Sequence, residues 1–399
     1  METAVFFVGL LFLHSLVSRR LGRTPITAPM VFTAAGLLAE WVHPRLHLPQ
    51  LNLEFFLGVA ETGLVLLLFA DASRTQLRVL GHIRNLPARL LGPGMLLTLA
   101  LGMVAAKVIF PGLTLAEAGI LAAILAPTDA GLGQVIVTSE KIPLAIRQAL
   151  NVEAGLNDGL SVPFLLFFMA LAASPTLGGD ARLGGLMMEQ LGYGAAIGGL
   201  IGLAGGGLLG WAQRSGWMDK SWEQLGLVSL PLMCLIVSEP AGASMFIAAF
   251  VAGLTVQVGF PKAGHHSVEL TEQWGQVFNL SVFLFFGIMA ARAWTAIQLP
   301  HLLYAAISLT VVRMLPVAVA LRGTRMAPET VLFMGWFGPR GLASIVLGLV
   351  YLEHAAPAGS GGTVRLTVIA TVILSIFAHG ISALPGMEWY ARRIRHLPS

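Results

Sequence analysis

Apolar stretches of about twenty residues follow one another along almost the whole chain, parted by short polar turns. A helix rises 1.5 Å per residue, so ~20 apolar residues cross the ~30 Å hydrocarbon layer of a bilayer. On that measure the pattern predicts thirteen helices, at roughly 2–18, 25–42, 54–71, 88–110, 116–138, 144–172, 186–213, 224–238, 242–259, 274–293, 300–321, 328–352 and 364–385. The eighth and ninth are short and divided only by Ser238-Glu-Pro-Ala-Gly242. No stretch is long and polar enough for a separate soluble domain. The expected fold class is an all-α polytopic membrane protein, one transmembrane domain over residues 1–399 with a short cytoplasmic tail at 387–399.

Charge placement sharpens this. Seventeen of the 24 basic residues follow odd-numbered helices: Arg19, Arg20 and Arg23; Arg74, Arg78, Arg84 and Arg89; Lys141 and Arg147; Arg214 and Lys220; Lys262; Arg322 and Arg325; Arg392, Arg393 and Arg395. Five (Arg45, Lys107, Arg182, Arg292, Arg365) fall on the other side, and Arg313 and Arg340 lie within spans. Loops rich in Lys and Arg stay in the cytoplasm, which predicts an outside N-terminus and a cytoplasmic C-terminus in the plasma (inner) membrane. An odd helix count is the one such a topology permits. The run Thr3–Val17 has its basic residues after it, the reverse of a cleavable signal. It is read as a first span.

Composition agrees. The chain is 56% hydrophobic and 11% charged, against about 25% charged in soluble domains. Its net charge of +4 is spread over loops, which speaks against a nucleic-acid partner. A single cysteine, Cys234, excludes an internal disulfide and a cysteine metal cage. No cofactor is expected. The glycines of 198–210 lack the strand a dinucleotide motif requires, and read as small residues that let membrane helices approach closely.

Two helices carry interruptions at mid-depth. The fifth contains Ala126-Pro-Thr-Asp-Ala-Gly-Leu-Gly133, and the twelfth Trp336-Phe-Gly-Pro-Arg-Gly341. Proline removes a backbone donor and disfavours helix in the residue before it. Unwound backbone at this depth persists where it is buried or lines an aqueous cavity. Broken helices at matching places in two chain halves point to a secondary-transporter site. Helices 5 and 12 are seven apart, so helices 1–6 and 8–13 are expected to be inverted repeats, with helix 7 as linker. Where the two breaks cross, half-helix ends of both signs meet. Asp129 is placed to offset the positive ends and Arg340 the negative ones.

Six ionisable residues fall near mid-membrane: Glu61, Asp129, Glu153, Asp158, Arg313 and Arg340. A carboxylate there costs about 2.5–3.5 kcal/mol on insertion scales. Glu153 and Asn157, four apart, share a helix face, while Asp158 turns toward the side of Ala154. Arg313 is the natural partner of Glu153, with Arg340 the second candidate. Acid is then in surplus. A surplus carboxylate takes a proton or a monovalent cation, but not both, and a carrier that turns only when loaded becomes an antiporter. Asp158 is the expected shared site. Thr128, Asp129 and Asn157, with carbonyls freed at the break, offer hard oxygen ligands to a transported metal ion. His265 and His266 read as loop residues, and His379 as a packed or hydrogen-bonded histidine.

At these residues the chain resembles the monovalent cation:proton antiporters, in particular the NhaP-like sodium/proton exchanger branch. The resemblance rests on Thr128-Asp129, Glu153…Asn157-Asp158, Arg313, Gly338-Pro-Arg-Gly341 and Glu61-Thr-Gly-Leu-Val-Leu-Leu-Leu-Phe69, and spans nearly the whole chain. It implies a homodimer whose six-helix core moves as an elevator, with Asp158 alternating between cation and proton. It implies that Thr128 and Asp129 contribute to the ion site and that Glu153 pairs with an arginine. The Asn-Asp pair marks the branch expected to exchange one cation for one proton. Ala130 and Ala154 depart from the proline and serine common in relatives, which bears on Na⁺ against K⁺ choice. Two other readings stand beside the antiporter: a sodium-coupled organic-anion carrier on a similar fold, and an intramembrane hydrolase using Asp129 and Asp158.

Overall fold

The computed structural model describes the chain except residues 1, 23, 43–52, 76–84, 130, 133–135, 137–138, 174–183, 186–187, 265, 355–360 and 395–399. Arg23, Arg45, Arg78, Arg84, Arg182, Arg395, Ala130, Gly133 and His265 thus lie outside the described residues. Helices occupy each of the thirteen apolar runs: α1 Glu2–Leu21, α2 Ala28–Val42, α3 Leu53–Arg74, α4 Asn85–Ile109, α5 Leu115–Ile124, α6 Leu144–Ala173, α7 Met188–Arg214, α8 Lys220–Ser238, α9 Met245–Gly259, α10 Glu269–Ala293, α11 Leu299–Ala320, α12 in two halves (Pro328–Trp336 and Leu342–His354) and α13 Gly361–Ile394. Among the described residues nine helices are long and apolar enough to cross a membrane, and no strand occurs.

Local chemistry sets the ends. Thr114 and Glu117 form a reciprocal capping box that starts α5, satisfying two of the free N–H groups of the first turn. Asp219 and Ser244 cap α8 and α9 from their side chains. Pro93 widens one turn of α4, Leu90–Gly94, into a π-turn, as expected where a backbone donor is missing. Thr310 interrupts α11, its hydroxyl bonding back to the Ala306 carbonyl at 2.6 Å, a bond that bends helices.

The last helix outruns its apolar stretch, 364–385. The last helix passes through Pro385 and continues to Ile394. What holds it is tertiary: Tyr390 is buried, stacks on Phe333 at 4.2 Å and hydrogen-bonds Thr330 at 3.0 Å. One bond lost at proline is outweighed by that packing.

Glycine sets how closely the helices approach. Gly194, Gly198, Gly202, Gly206 and Gly210 form one buried stripe of α7. A Cβ at Gly198, Gly202, Gly206 or Gly210 would run into the backbone of Ala248, Ala252, Val256 or Gly259 of α9. Gly36 of α2 meets the α10 backbone around Leu284 and Gly287 in the same way, and Gly253 of α9 meets Phe69 of α3. These contacts lock α2 on α10 and α9 on α3. Beside that block stand α6 and the two broken helices.

Candidate functional site

The interruptions in α5 and α12 touch. The Asp129 amide donates to the Pro339 carbonyl at 2.8 Å. Its carboxylate accepts from the Gly131 amide through Oδ1 and from the Leu342 amide through Oδ2, both at 2.7 Å. Leu342 opens the second half of α12, so a negative charge sits on a half-helix N-terminus, where it is favoured. Gly341 permits this approach, since a Cβ there would collide with Asp129 Oδ2. Arg340, wholly buried, donates from Nη1 to the Ala126 and Pro127 carbonyls at 2.9 Å. These carbonyls lie just past the C-terminal end of α5. Helix α13 holds the second break: Ser375 accepts the Arg340 amide at 2.6 Å, and His379 Nε2 donates to the Trp336 carbonyl at 2.9 Å.

On α6, side chains divide by face. Glu153 points to α11 and takes a bidentate guanidinium from Arg313; the Nη2–Oε2 contact is 3.0 Å and the Nη1–Oε1 contact is shorter. Both residues are buried. Arg313 Nη2 also reaches the Met334 carbonyl at 3.4 Å, and Gly338 leaves room for the guanidinium. Asn157 donates from Nδ2 to Thr128 Oγ1 at 2.8 Å, joining α6 to the first break.

The opposite face of α6 borders a cavity of about 220 Å³. Gln148, Asn151, Gly155 and Asp158 line it at spacings of three and four, the helix-face pattern. Asp71 and Arg74 of α3, Glu272, Gln276 and Asn279 of α10, and Asp129 complete its polar wall. Asp158 is 4% exposed, and its Oδ1 has no hydrogen-bond partner among the described residues. At the rim Arg74 is paired with Glu272 at 2.6 Å. Asn151 donates to the Asp71 carbonyl and to Thr75 Oγ1 at 3.3 Å.

The structure therefore brings Asp129 and Asp158 to one cavity and sets Thr128 and Asn157 against each other outside its lining. Glu61 is half buried on α3, also outside that lining. Asp71, Gln148 and Asn279 line the cavity without having been marked in the sequence. Asp71 falls at the end of the third apolar run, 54–71, whereas α3 runs on to Arg74. No group of three or more His, Cys, Asp or Glu suited to a resident metal ion occurs among the described residues.

The family model described as sodium/hydrogen exchanger, transmembrane, matches residues 5–389. An uncharacterised Na⁺/H⁺ exchanger of Escherichia coli, YjcE, is 31% identical over 66% of this chain and 48% of its own length. A K⁺/H⁺ antiporter, NhaP, of Alkalimonas amylolytica is 26% identical over 96% of this chain and 66% of its own. A sodium, potassium, lithium and rubidium/H⁺ antiporter of Bacillus subtilis is 27% identical over 66% of this chain and 39% of its own. The chain spans about two fifths to two thirds of the length of these relatives. The solved structure of the sodium proton antiporter MjNhaP1 of Methanocaldococcus jannaschii at pH 8 superposes with a TM-score of 0.78, covering 100% of this chain and 99% of that one at 20% identity. The fold is shared.

Proposed function

The chain belongs to the sodium/hydrogen exchanger family, and from that premise we propose that it exchanges a monovalent cation, Na⁺, K⁺ or Li⁺, for H⁺ across the membrane. Asp158 is the shared site in this reading, loaded with either the cation or the proton. One observation carries the choice: Asp158 lines the cavity and keeps a buried oxygen without a hydrogen-bond partner among the described residues, and the other unpartnered buried side-chain atoms on lining residues, Gln148 Oε1 and Asn279 Oδ1, are acceptors too. A cation or water satisfies acceptors. An organic anion needs donors, and the guanidinium at the rim, Arg74, is taken by Glu272. A hydrolytic acid pair is disfavoured as well, because both Asp129 oxygens are held by backbone amides.

In the same reading Asp129 and Arg340 balance the ends of the broken helices, and Glu153–Arg313 is a strut. Thr128 and Asn157 position the break behind Asp158, and each comes into the ion shell only if the break shifts. Glycine contacts of like kind lock α2 on α10 and α9 on α3, which supports helices 1–6 and 8–13 as inverted repeats with α7 between them. The cavity is lined by the start of α2 and α6, the end of α3 and the start of α10. Those ends lie on the side rich in basic loops, so the conformation is open to the cytoplasm. Alternating access then moves α6 with the broken helices against the α2–α3–α9–α10 block, in a homodimer of the cell membrane.

The test is cation-induced dissipation of a pH gradient in proteoliposomes, read with a ΔpH-sensitive dye. Wild type is expected to respond to Na⁺, K⁺ or Li⁺ alone, and Asp158→Ala to respond to none. A response that survives in Asp158→Ala rejects this assignment.

A further inference from the structure

Neutral oxygens stand out once the acids are accounted for. Asn279, on α10, is 7% exposed, and its Oδ1 has no hydrogen-bond partner among the described residues. Gln148 Oε1, on α6, is likewise buried and unpartnered. Both residues line the cavity that contains Asp158. Leaving a buried acceptor unsatisfied costs about 1–3 kcal/mol, and a turn of either terminal amide brings its oxygen to the cavity, so the two residues suit a common occupant. The cavity has room: at ~30 Å³ per water, about 220 Å³ corresponds to roughly seven water molecules. An ion entering it needs replacements for the water oxygens it sheds, and amide oxygens supply them without adding charge.

We propose that Asn279 and Gln148 are ligands of the incoming cation and set which alkali-metal ion the site prefers. This inference rests on the exchanger reading above and adds a specificity role that it does not contain. Ion choice in such sites follows the number and field strength of the oxygens offered. Carboxylate oxygens alone present a strong field that favours the smallest ion. Two amide oxygens dilute it and admit larger ions. Neither residue is a hydrogen-bond partner in the Glu153–Arg313 strut or the Asp129 caps, so each can be changed without removing one of those bonds.

The experiment compares apparent KM and maximal rate for LiCl, NaCl, KCl and RbCl in the same dye assay, for wild type, Asn279→Leu, Asn279→Asp and Gln148→Leu. Losing one oxygen in Asn279→Leu or Gln148→Leu is expected to raise KM for the preferred ion about three- to tenfold, with maximal rate kept. Asn279→Asp, nearly isosteric, is expected to shift the ratio of KM values toward Li⁺ and Na⁺ over K⁺ and Rb⁺. It decides the matter if a leucine variant does not fold. Unchanged KM values and ion order in the folded variants overturn the proposal while leaving the exchanger reading in place. Absence of exchange in wild type overturns both.

Discussion

Glu153 shows how a buried charge declares its role through its partner. Its carboxylate is fully engaged by one guanidinium from another helix, so it has little left to offer a cation. Removing one member of a buried pair leaves the other charge uncompensated, at a cost of about 3–5 kcal/mol. Glu153→Gln is therefore expected to lower the thermal unfolding temperature in detergent clearly, while the protein that remains folded keeps its apparent cation KM. A shifted KM at unchanged stability would make Glu153 a ligand instead. The pairing was open to sequence reasoning, since carboxylates and guanidinia at mid-depth must find each other. Asp71 was not, because it sits three residues before the basic end of α3, where loop and helix look alike. Asn279 and Gln148 were harder still. An amide in an apolar helix is ordinary, and only the surrounding geometry reveals that its oxygen lacks a partner.

At the scale of elements, hydrophobic length sufficed to find thirteen helices, and proline with flanking glycine sufficed to find both breaks. Which faces pair is a matter of tertiary contact. Composition marked α7 as glycine-rich, but not which of its glycines touch a neighbour. The structure separates them: a Cβ at Gly206 would run into the Val256 backbone, whereas one at Gly207 would meet nothing within 4 Å. Gly206→Leu is expected to destabilise the α7–α9 contact by at least ~2 kcal/mol, because backbone yields less than a side chain. Gly207→Leu should leave thermal stability unchanged. Equal behaviour of the two variants in the same unfolding assay would mean that α7 does not use this stripe. The end of α13 carries a similar lesson, since Pro385 signals a stop that the stacking of Tyr390 on Phe333 overrides.

For the whole molecule the question is how much charge moves per cycle. Glu153 and Arg313 neutralise each other, and Asp129 and Arg340 are tied to backbone at the two breaks. Both oxygens of Asp129 already accept amide protons, so it is poorly placed to carry a second exchanged proton. Among the mid-membrane ionisable groups on α6 and at the two breaks, the proposed mechanism then leaves Asp158 to change its load. Its charge is cancelled equally by one monovalent cation or one proton, so the moving unit carries the same net charge in both directions. On the proposed mechanism, exchange is expected to be one for one and indifferent to voltage. The contrast is large enough to measure: a carrier moving one net charge gains or loses ~2.3 kcal/mol per 100 mV, about a fiftyfold change in the equilibrium ion ratio. Proteoliposomes clamped with a diffusion potential of a permeant anion such as thiocyanate, assayed with Na⁺ at fixed cation gradients, are expected to show the same exchange rate and end point at 0 and −100 mV. A voltage-dependent end point would require a second titrating carboxylate in the moving unit, and Asp129, freed from one of its amides, would be the residue to mutate next.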